Sequence, residues 1–516
     1  MNTIAHAFVS ALGRCPDQVA FQEGERTYSY SETSELMARM IRVFSARGTL
    51  VGKGLGVLAL NRADGFMAAV GIQVAGGFFV ALPNRSSAVE IAEIIDDAQL
   101  ALLLVDPELE ELGAAALELA AVEPEVFTLG PCELGRDLLA AAEDVGATRL
   151  SAAPEVSWDL DAHIMFTGGT TGKPKGVVHR QHAGLAMALR PLWAYEMPSK
   201  PRSLAIAPMT HSGYQIPLAT IMAGGTVIVV PKFAPDLFVD VVEREHITAT
   251  IGVPTMIYAV MDYAETHQTD LSSLRNWLYA AAPISPDRLV EAQRRWGSIF
   301  VQAYAMSESY GHGTVLHSDE HDLSRPERLA SCGRATAETL LRVADDEGNA
   351  VTTGEVGEIL MRGPNLMTRY LNLPDLTEEV CRGGWLHTGD LATQDDEGFV
   401  TIVDRKKDMI ISGGFNVYSR EVEDALMAHE SVRAAAVVGV PDERWGEAVK
   451  AFVISAMDDP RNEAELIAFV KSTRGSVKAP KSIEFVSEIP LTMSGKLDKK
   501  LLRAMSAHDQ QGASKI

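Results

Sequence analysis

The pattern of apolar and polar positions along the chain changes character twice. From Thr27 onward, helical-period segments such as SETSELMARMIRVFSARG (residues 31–48) alternate with short apolar runs such as GLGVLAL (54–60), ALLLV (101–105) and GTVIVV (225–230). Apolar residues every three or four positions mark one face of a helix, while a short unbroken apolar run suits a strand buried on both sides. Their alternation predicts parallel sheets covered by helices. The longest apolar stretches, Ala68–Leu82 and Ile216–Val230, contain glycines and fall short of the ~18 residues that span a bilayer. Each predicts a buried helix followed by a buried strand, and no integral membrane segment is expected.

Beyond residue 320 the runs LLRVADDEGNAV (340–351), GEILMRG (357–363) and GFVTIVDRKKD (398–408) are shorter and β-rich, with turn signals between them. They predict a β-subdomain over about 325–406. After DRKKD the pattern changes again. SREVEDALMAHE (419–430) has a serine cap and early acids, as a helix start does. AAAVVGV, AVKAFVI and SIEFV read as strands and EAELIAFVKST as a helix. The predicted fold is α/β: a large N-terminal domain of stacked α/β sheets with its β-subdomain, residues 1–406, and a small mobile C-terminal α+β domain, residues 407–516.

Composition narrows the class. A 516-residue chain is too long for one ordinary core. Its 46 basic and 69 acidic residues leave a net charge of −23, which argues against nucleic acid as a partner, because phosphate backbones are bound by net positive surfaces. Cys15, Cys132, Cys332 and Cys381 are scattered and form no CxxC pair, as expected of free thiols in a reducing compartment. MNTIAHAFVSALGRCPDQ lacks the basic and apolar regions of a signal peptide, so the cytoplasm is the expected location. The final Ser-Lys-Ile is one change from a peroxisomal address, a second destination left open.

The candidate chemistry starts at FTGGTTGKPKG (166–176). AHIMF before it and GVVH after it read as buried strands. A connection rich in glycine, threonine and lysine brings bare backbone N–H groups, hydroxyls and cations to phosphate oxygens. The spacing is not that of the NTPase P-loop: the residue five before Gly172 is Thr167, and Lys173 is followed by Pro174, which blocks an immediate helix. His179 and His182 in HRQH lack the glutamate and spacing of a zinc helix and read as structural.

The loop is followed, in order, by QAYAMSES (302–309), GWLHTGDL (384–391), DRKKDMIISGGFNVYSREVE (404–423) and PLTMSGKLDKKLLR (490–503). Together these blocks resemble the adenylate-forming superfamily of acyl-CoA synthetases, adenylation domains and beetle luciferases, across nearly the whole chain. The resemblance implies a carboxylate attacking the α-phosphorus of ATP, releasing pyrophosphate, and a thiol then displacing AMP from the acyl adenylate. Neither step needs a protein nucleophile. Both need two anions held together in a shielded site, and positioning alone supplies about 7–11 kcal/mol of such a barrier.

By that resemblance Thr167, Gly168, Gly169, Thr170, Thr171, Gly172, Lys173 and Lys175 grip the β- and γ-phosphates, with Gly168 standing where many members carry serine. Tyr304, with Ala303 and Ala305 beside it and Ala282 and Pro283 on the preceding segment, meets the adenylate. Ser307 replaces the usual threonine as an α-phosphate hydroxyl, and Glu308 contacts Mg²⁺. Asp390 accepts the ribose hydroxyls and Arg405 reaches ribose or phosphate. Lys496 bridges the attacking carboxylate and the α-phosphate. Lys407 is the hinge about which the small domain turns between half-reactions, and Gly413 and Gly414 then shape the passage for the pantetheine arm of coenzyme A. RWGEAV, around Gly446 and Glu447, resembles a second block on that face.

His211, Tyr214, Ala280 and Ala281 correspond to the acyl pocket. No basic residue in these stretches pairs with a second carboxylate, which favours an apolar monocarboxylic acid, whether fatty, alicyclic or aromatic. The implied enzyme is an AMP-forming acid–CoA ligase using ATP, Mg²⁺ and coenzyme A. Loading of a separate carrier-protein phosphopantetheine and, more remotely, luciferase-like oxidation stay open, and a homodimer is compatible with the reading.

Overall fold

The computed structural model describes residues 3–146, 149–167, 173–210, 212–311, 313–442, 444–456, 462–490 and 497–513. The chain forms two compact units: Met1–Leu341 with Met361–Leu386, and Arg342–Leu360 with His387–Ile516.

Among the described residues the first unit holds two large sheets. In the nine-stranded one, Phe300–Ala305, Asn276–Ala280, Ala249–Gly252, Arg202–Ala205, Thr226–Val229 and Val19–Glu23 lie side by side and parallel. Antiparallel strands Gly313–Leu316 and Arg26–Ser29 flank this parallel block. In the eight-stranded sheet the parallel block Asp161–Thr167, Phe78–Ala81, Gly54–Leu58, Leu102–Val105 and Glu125–Thr128 is continued by the antiparallel strands Lys175–Arg180 and Arg369–Tyr370. Gly54–Leu58 and Leu102–Val105, from two of the unbroken apolar runs of the sequence, are buried at every residue, as expected of strands covered on both faces.

One core joins the sheets: Phe21, Val227 and Val229 from the first and Leu55, Phe79 and Leu104 from the second share a cluster with Met67, Val70 and Ile72. The last three lie on helix Ala63–Val74, every residue of which is buried. It shows no polar face because it meets protein on all sides. The amphipathic helix read over residues 31–48 runs Tyr30–Phe44 and starts at a cap: Ser29 Oγ accepts from Glu32 N–H while the Glu32 carboxylate accepts from Ser29 N–H at 2.7 Å. Such a reciprocal cap contributes about 1 kcal/mol.

The second unit carries most of a four-stranded sheet, in the order Leu340–Ala344, Gly357–Arg362, Leu386–Gln394, Val400–Arg405. It also carries a mixed sheet built on the long hairpin Val432–Asp442 and Gly446–Ser455, packed with helices Ser419–Met427 and Glu463–Arg474. The β-rich segment therefore divides. Met361–Leu386 belongs to the first unit because Arg369–Tyr370 pairs with Lys175–Arg180, while the flanking strands pack with the C-terminal residues. Lys406–Asp408, expected at the boundary, forms a 3₁₀ turn inside the second unit.

Candidate active site

Within the first unit the strands Asn276–Ala280 and Phe300–Ala305 are parallel neighbours, with Ala280 opposite Ala303. Both chains therefore leave the nine-stranded sheet at its carboxyl edge, where open α/β sheets bind ligands. After the first strand Ala281 takes φ +70°, a left-handed conformation that turns the chain sharply. Ala281, Ala282 and Pro283 are exposed there, Ala303 is buried, and Tyr304 and Ala305 are half-buried. After the second strand come a 3₁₀ turn, Ser307–Ser309, and a second left-handed residue, Tyr310, at φ +50°.

A buried polar shell holds that turn. His179 Nε2 donates to the Ser307 carbonyl at 2.8 Å, and its ring stacks on Tyr310 with centroids 3.8 Å apart. The Tyr310 hydroxyl is hydrogen-bonded to His163 Nδ1 at 2.9 Å. Arg190, fully buried, donates to the Tyr310 carbonyl at 3.2 Å and pairs with Glu338 at 2.7 Å. Tyr195 donates to the Gly311 carbonyl. A turn with left-handed backbone persists only when its surroundings over-determine it, and these contacts do so.

Glu308 leaves the turn half-buried, with its carboxylate accepting from the Tyr370 hydroxyl at 2.6 Å and its carbonyl from Met367 N–H at 2.7 Å. The glycine-rich connection bridges paired strands in the same unit: Thr167 lies opposite Lys175 in the ladder. The Lys175 ammonium is 6.0 Å from the centroid of the Tyr370 ring, and Lys173 is exposed. Gly168, Gly169, Thr170, Thr171 and Gly172 lie outside the described residues, as do His211 and Lys496.

Tyr214, assigned to the acyl pocket by resemblance, is fully enclosed by protein. Its ring lies 5.3 Å from Phe66 and 5.4 Å from Phe79, and its hydroxyl donates to Gln73 Oε1 at 2.9 Å. Burial pushes that hydroxyl far above the ordinary tyrosine range.

In the second unit Asp390 and Arg405 face each other across the hairpin and form an ion pair of 2.6 Å. Asp390 is buried while the Arg405 side chain is 45% exposed, so the cation has room to exchange one anion for another. Lys406 is tied to Asp346 and Glu358 at 2.7 and 3.2 Å. Burial favours the neutral Glu358 carboxyl, but the Gly389 N–H and Lys406 outweigh it and hold the group below its usual range. Lys407 is exposed.

Gly413 and Gly414 take φ +60° and +82° in the turn between Ile410–Ser412 and Phe415–Val417. Gly413 N–H donates to the Trp445 carbonyl at 2.8 Å, and a Cβ on Gly413 would come within 2.7 Å of the Trp445 ring. Arg444 and Lys481 lie 4.8 and 5.3 Å from that ring, and Glu447 accepts from Ile411 N–H at 2.8 Å. Lys499, near Lys496 in sequence, is committed to Glu423 at 2.7 Å.

The residues missed by sequence reasoning are Tyr370, Trp445 and the Arg190–Glu338 pair. MTRYLN carries no signal beyond an ordinary strand, and RWGEAV drew attention only to its glycine and acid. No group of three or more His, Cys, Asp or Glu able to hold a metal ion occurs among the described residues. A single carboxylate such as Glu308 fits Mg²⁺ that arrives coordinated mainly by substrate phosphates. No helix among the described residues is long and apolar enough to cross a membrane.

Comparison with known proteins identifies the family. The AMP-binding enzyme family model matches residues 8–371, and the model of the AMP-binding enzyme C-terminal domain matches residues 421–496. A medium/long-chain-fatty-acid–CoA ligase, FadD8 of Mycobacterium tuberculosis, is 40% identical over 97% of this chain and 89% of its own. A feruloyl-CoA synthase from Amycolatopsis is 36% identical over 95% of this chain and 96% of its own. Among solved structures, the amide bond synthetase McbA of Marinactinospora thermotolerans superposes with a TM-score of 0.87 at 33% identity, covering 97% of this chain and 99% of that one. The chain belongs to the AMP-binding enzyme family, the adenylate-forming enzymes that its ordered motifs resemble.

Proposed function

We propose that the protein is an ATP-dependent acid–CoA ligase that converts an apolar monocarboxylic acid to its acyl-CoA through an acyl adenylate, with release of pyrophosphate and AMP. The observation that carries this reading is the Glu308 carboxylate held by Tyr370 next to Lys175, on the strand that leaves the glycine-rich connection. Phosphate-binding cations and a metal-binding carboxylate then act on one triphosphate.

In this reading Thr167, Lys173 and Lys175, with Gly168 to Gly172, hold the β- and γ-phosphates. Tyr304 lies against the adenine and Ser307 donates to the α-phosphate. Glu308 would hold Mg²⁺, which supplies charge neutralisation on the phosphates. Asp390 takes the ribose hydroxyls, with Arg405 free to turn from it toward ribose or phosphate. Lys496 offsets the charge that builds where carboxylate meets α-phosphate, an interaction stronger in the transition state than before it. Turning of the C-terminal residues about Lys407 then replaces Lys496 by the Gly413–Gly414 turn, past which a thiol arm enters.

The apolar acid is supported by the absence of a basic residue in the matching stretches and by likeness to ligases named for fatty and ferulic acids. Free thiols at four separated cysteines support a reducing compartment, and we take it to be the cytoplasm. Pyrophosphate and AMP release, measured over fatty, aromatic and alicyclic acids with and without coenzyme A, tests the proposal. AMP release that requires both an acid and coenzyme A is expected. Transfer only to a carrier protein would move the assignment to the carrier-loading alternative, and no AMP with any acid would end it.

A further inference from the structure

We propose that Tyr370 is the positioning residue for Glu308: its hydroxyl fixes one carboxylate oxygen and so presets the other for the divalent cation that accompanies ATP. This rests on the reading that Glu308 meets that cation.

A glutamate carboxylate turns almost freely about its last bond, so one left in water samples many orientations. Here Oε1 accepts from the Tyr370 hydroxyl at 2.6 Å, the short distance of a hydrogen bond to an ionised acceptor. The clamp acts on the backbone as well, because Met367 N–H from the same segment donates to the Glu308 carbonyl at 2.7 Å. Tyr370 is itself immobile. Its residue pairs with Val177 in the ladder, Leu371 N–H donates to the Gly176 carbonyl at 2.7 Å, and Arg369 grips both oxygens of Asp161 at 3.2 and 2.7 Å.

The Tyr370 ring therefore connects the strand that leaves the phosphate-binding segment to the turn that carries Glu308. Lys175 lies against the ring and Glu308 is bonded to its hydroxyl. A partner that holds a ligating carboxylate in place typically contributes 10–100-fold to metal affinity. Nothing in the sequence reading gives this segment a role.

The test uses the full-length protein with a non-hydrolysable ATP analogue and Mn²⁺ as the probe, read by electron paramagnetic resonance. Tyr370→Phe keeps the ring and removes only the hydroxyl. Mn²⁺ binding to the analogue-bound protein is expected to weaken about tenfold. Binding of the analogue in a chelator, and the melting temperature, are expected to stay at the wild-type values. The Mg²⁺ concentration for half-maximal pyrophosphate release is expected to rise by the same factor, with turnover recovering at saturating Mg²⁺. In a Glu308→Gln background the further change Tyr370→Phe should add nothing, a non-additivity that a merely structural tyrosine would not show.

Weakened Mn²⁺ binding in Glu308→Gln with unchanged binding in Tyr370→Phe would overturn the inference and leave the metal reading standing. Unchanged binding in Glu308→Gln would overturn both. Turnover lost at every Mg²⁺ concentration, with Mn²⁺ binding intact, would show that Tyr370 acts otherwise and overturn the inference too.

Discussion

His179 stacks on Tyr310 with planes 6° apart and, through its other edge, donates a hydrogen bond to the Ser307 carbonyl. One imidazole thus spans the whole turn from which Ser307 and Glu308 project. That bond also sets the tautomer, since a carbonyl only accepts and Nε2 must carry the proton.

His179→Phe should keep the stack and remove one of the two hydrogen bonds to the Ser307 carbonyl, which still accepts from Tyr310 N–H at 3.1 Å, a loss of about 0.5–1.5 kcal/mol. The expected outcome is a matching loss of stability in denaturant and slower acyl-adenylate formation. Wild-type kinetics of pyrophosphate release would show that the turn needs no such support.

Arg190 and Glu338 form a pair in which the cation is fully buried. Removing one partner of a buried pair leaves an uncompensated charge and typically costs about 3–5 kcal/mol. Glu338→Gln is therefore expected to destabilise the protein, and the double change Arg190→Met with Glu338→Gln to recover only part of the loss, because the Tyr310 carbonyl then loses the Arg190 donor. Equal unfolding midpoints for wild type and Glu338→Gln would refute the assignment.

Gly413→Ala places a Cβ against the Trp445 ring at a positive φ that alanine adopts at a cost. Because this turn is assigned to the thiol half-reaction, thioester formation from supplied acyl-AMP should fall while acid-dependent pyrophosphate release stays near wild type. The reverse pattern would remove the turn from the thiol passage.

Lys496→Ala is expected to behave oppositely. Acyl-AMP formation should fall by orders of magnitude, with thioester formation from supplied acyl-AMP largely retained. Equal loss of both half-reactions would contradict the role proposed for this lysine.

Glu196 and His317 give a pH signature unrelated to catalysis. Burial disfavours the Glu196 charge, but hydrogen bonds from His317 and Ser318 prevail and bring its pKa down to about 2. The bond to Glu196 in turn raises His317 above the ordinary histidine value of about 6.5, despite partial burial. The Glu196 contribution is present above its unfolded value of about 4.5 and fades as pH falls toward 2. The His317 contribution is complete below about 6.5 and is lost as pH rises through its higher folded value. The stability difference between wild type and His317→Gln should therefore be largest between pH 4.5 and 6.5 and shrink on either side. A difference independent of pH would show that the pair is not coupled.

Legibility from the sequence followed chain distance. Strand, glycine-rich connection and strand lie within Asp161–Arg180, so Thr167 and Lys175 were found together, and the ladder pairs them. Asp390 and Arg405 were read from separate motifs, and the intervening hairpin makes them partners. The surroundings of Tyr214 are not legible in the sequence, because a tyrosine in an apolar stretch looks the same whatever packs around it. Its contacts with Phe66, Phe79 and Gln73 come from segments far away in sequence.

By itself the sequence determined the alternation of helix and strand, the two kinds of domain and the ordered motifs that identify the chemistry. These depend on local period, turn chemistry and residue type, which act over a few neighbouring positions. Only the tertiary structure decided that Met361–Leu386 returns to the first unit, that Tyr370 meets Glu308 across 62 residues of chain, and that His179 and Arg190 brace a turn lying more than a hundred residues further on. Such pairings arise when sheets and helices stack, and a buried polar group must then find a partner wherever packing has brought one.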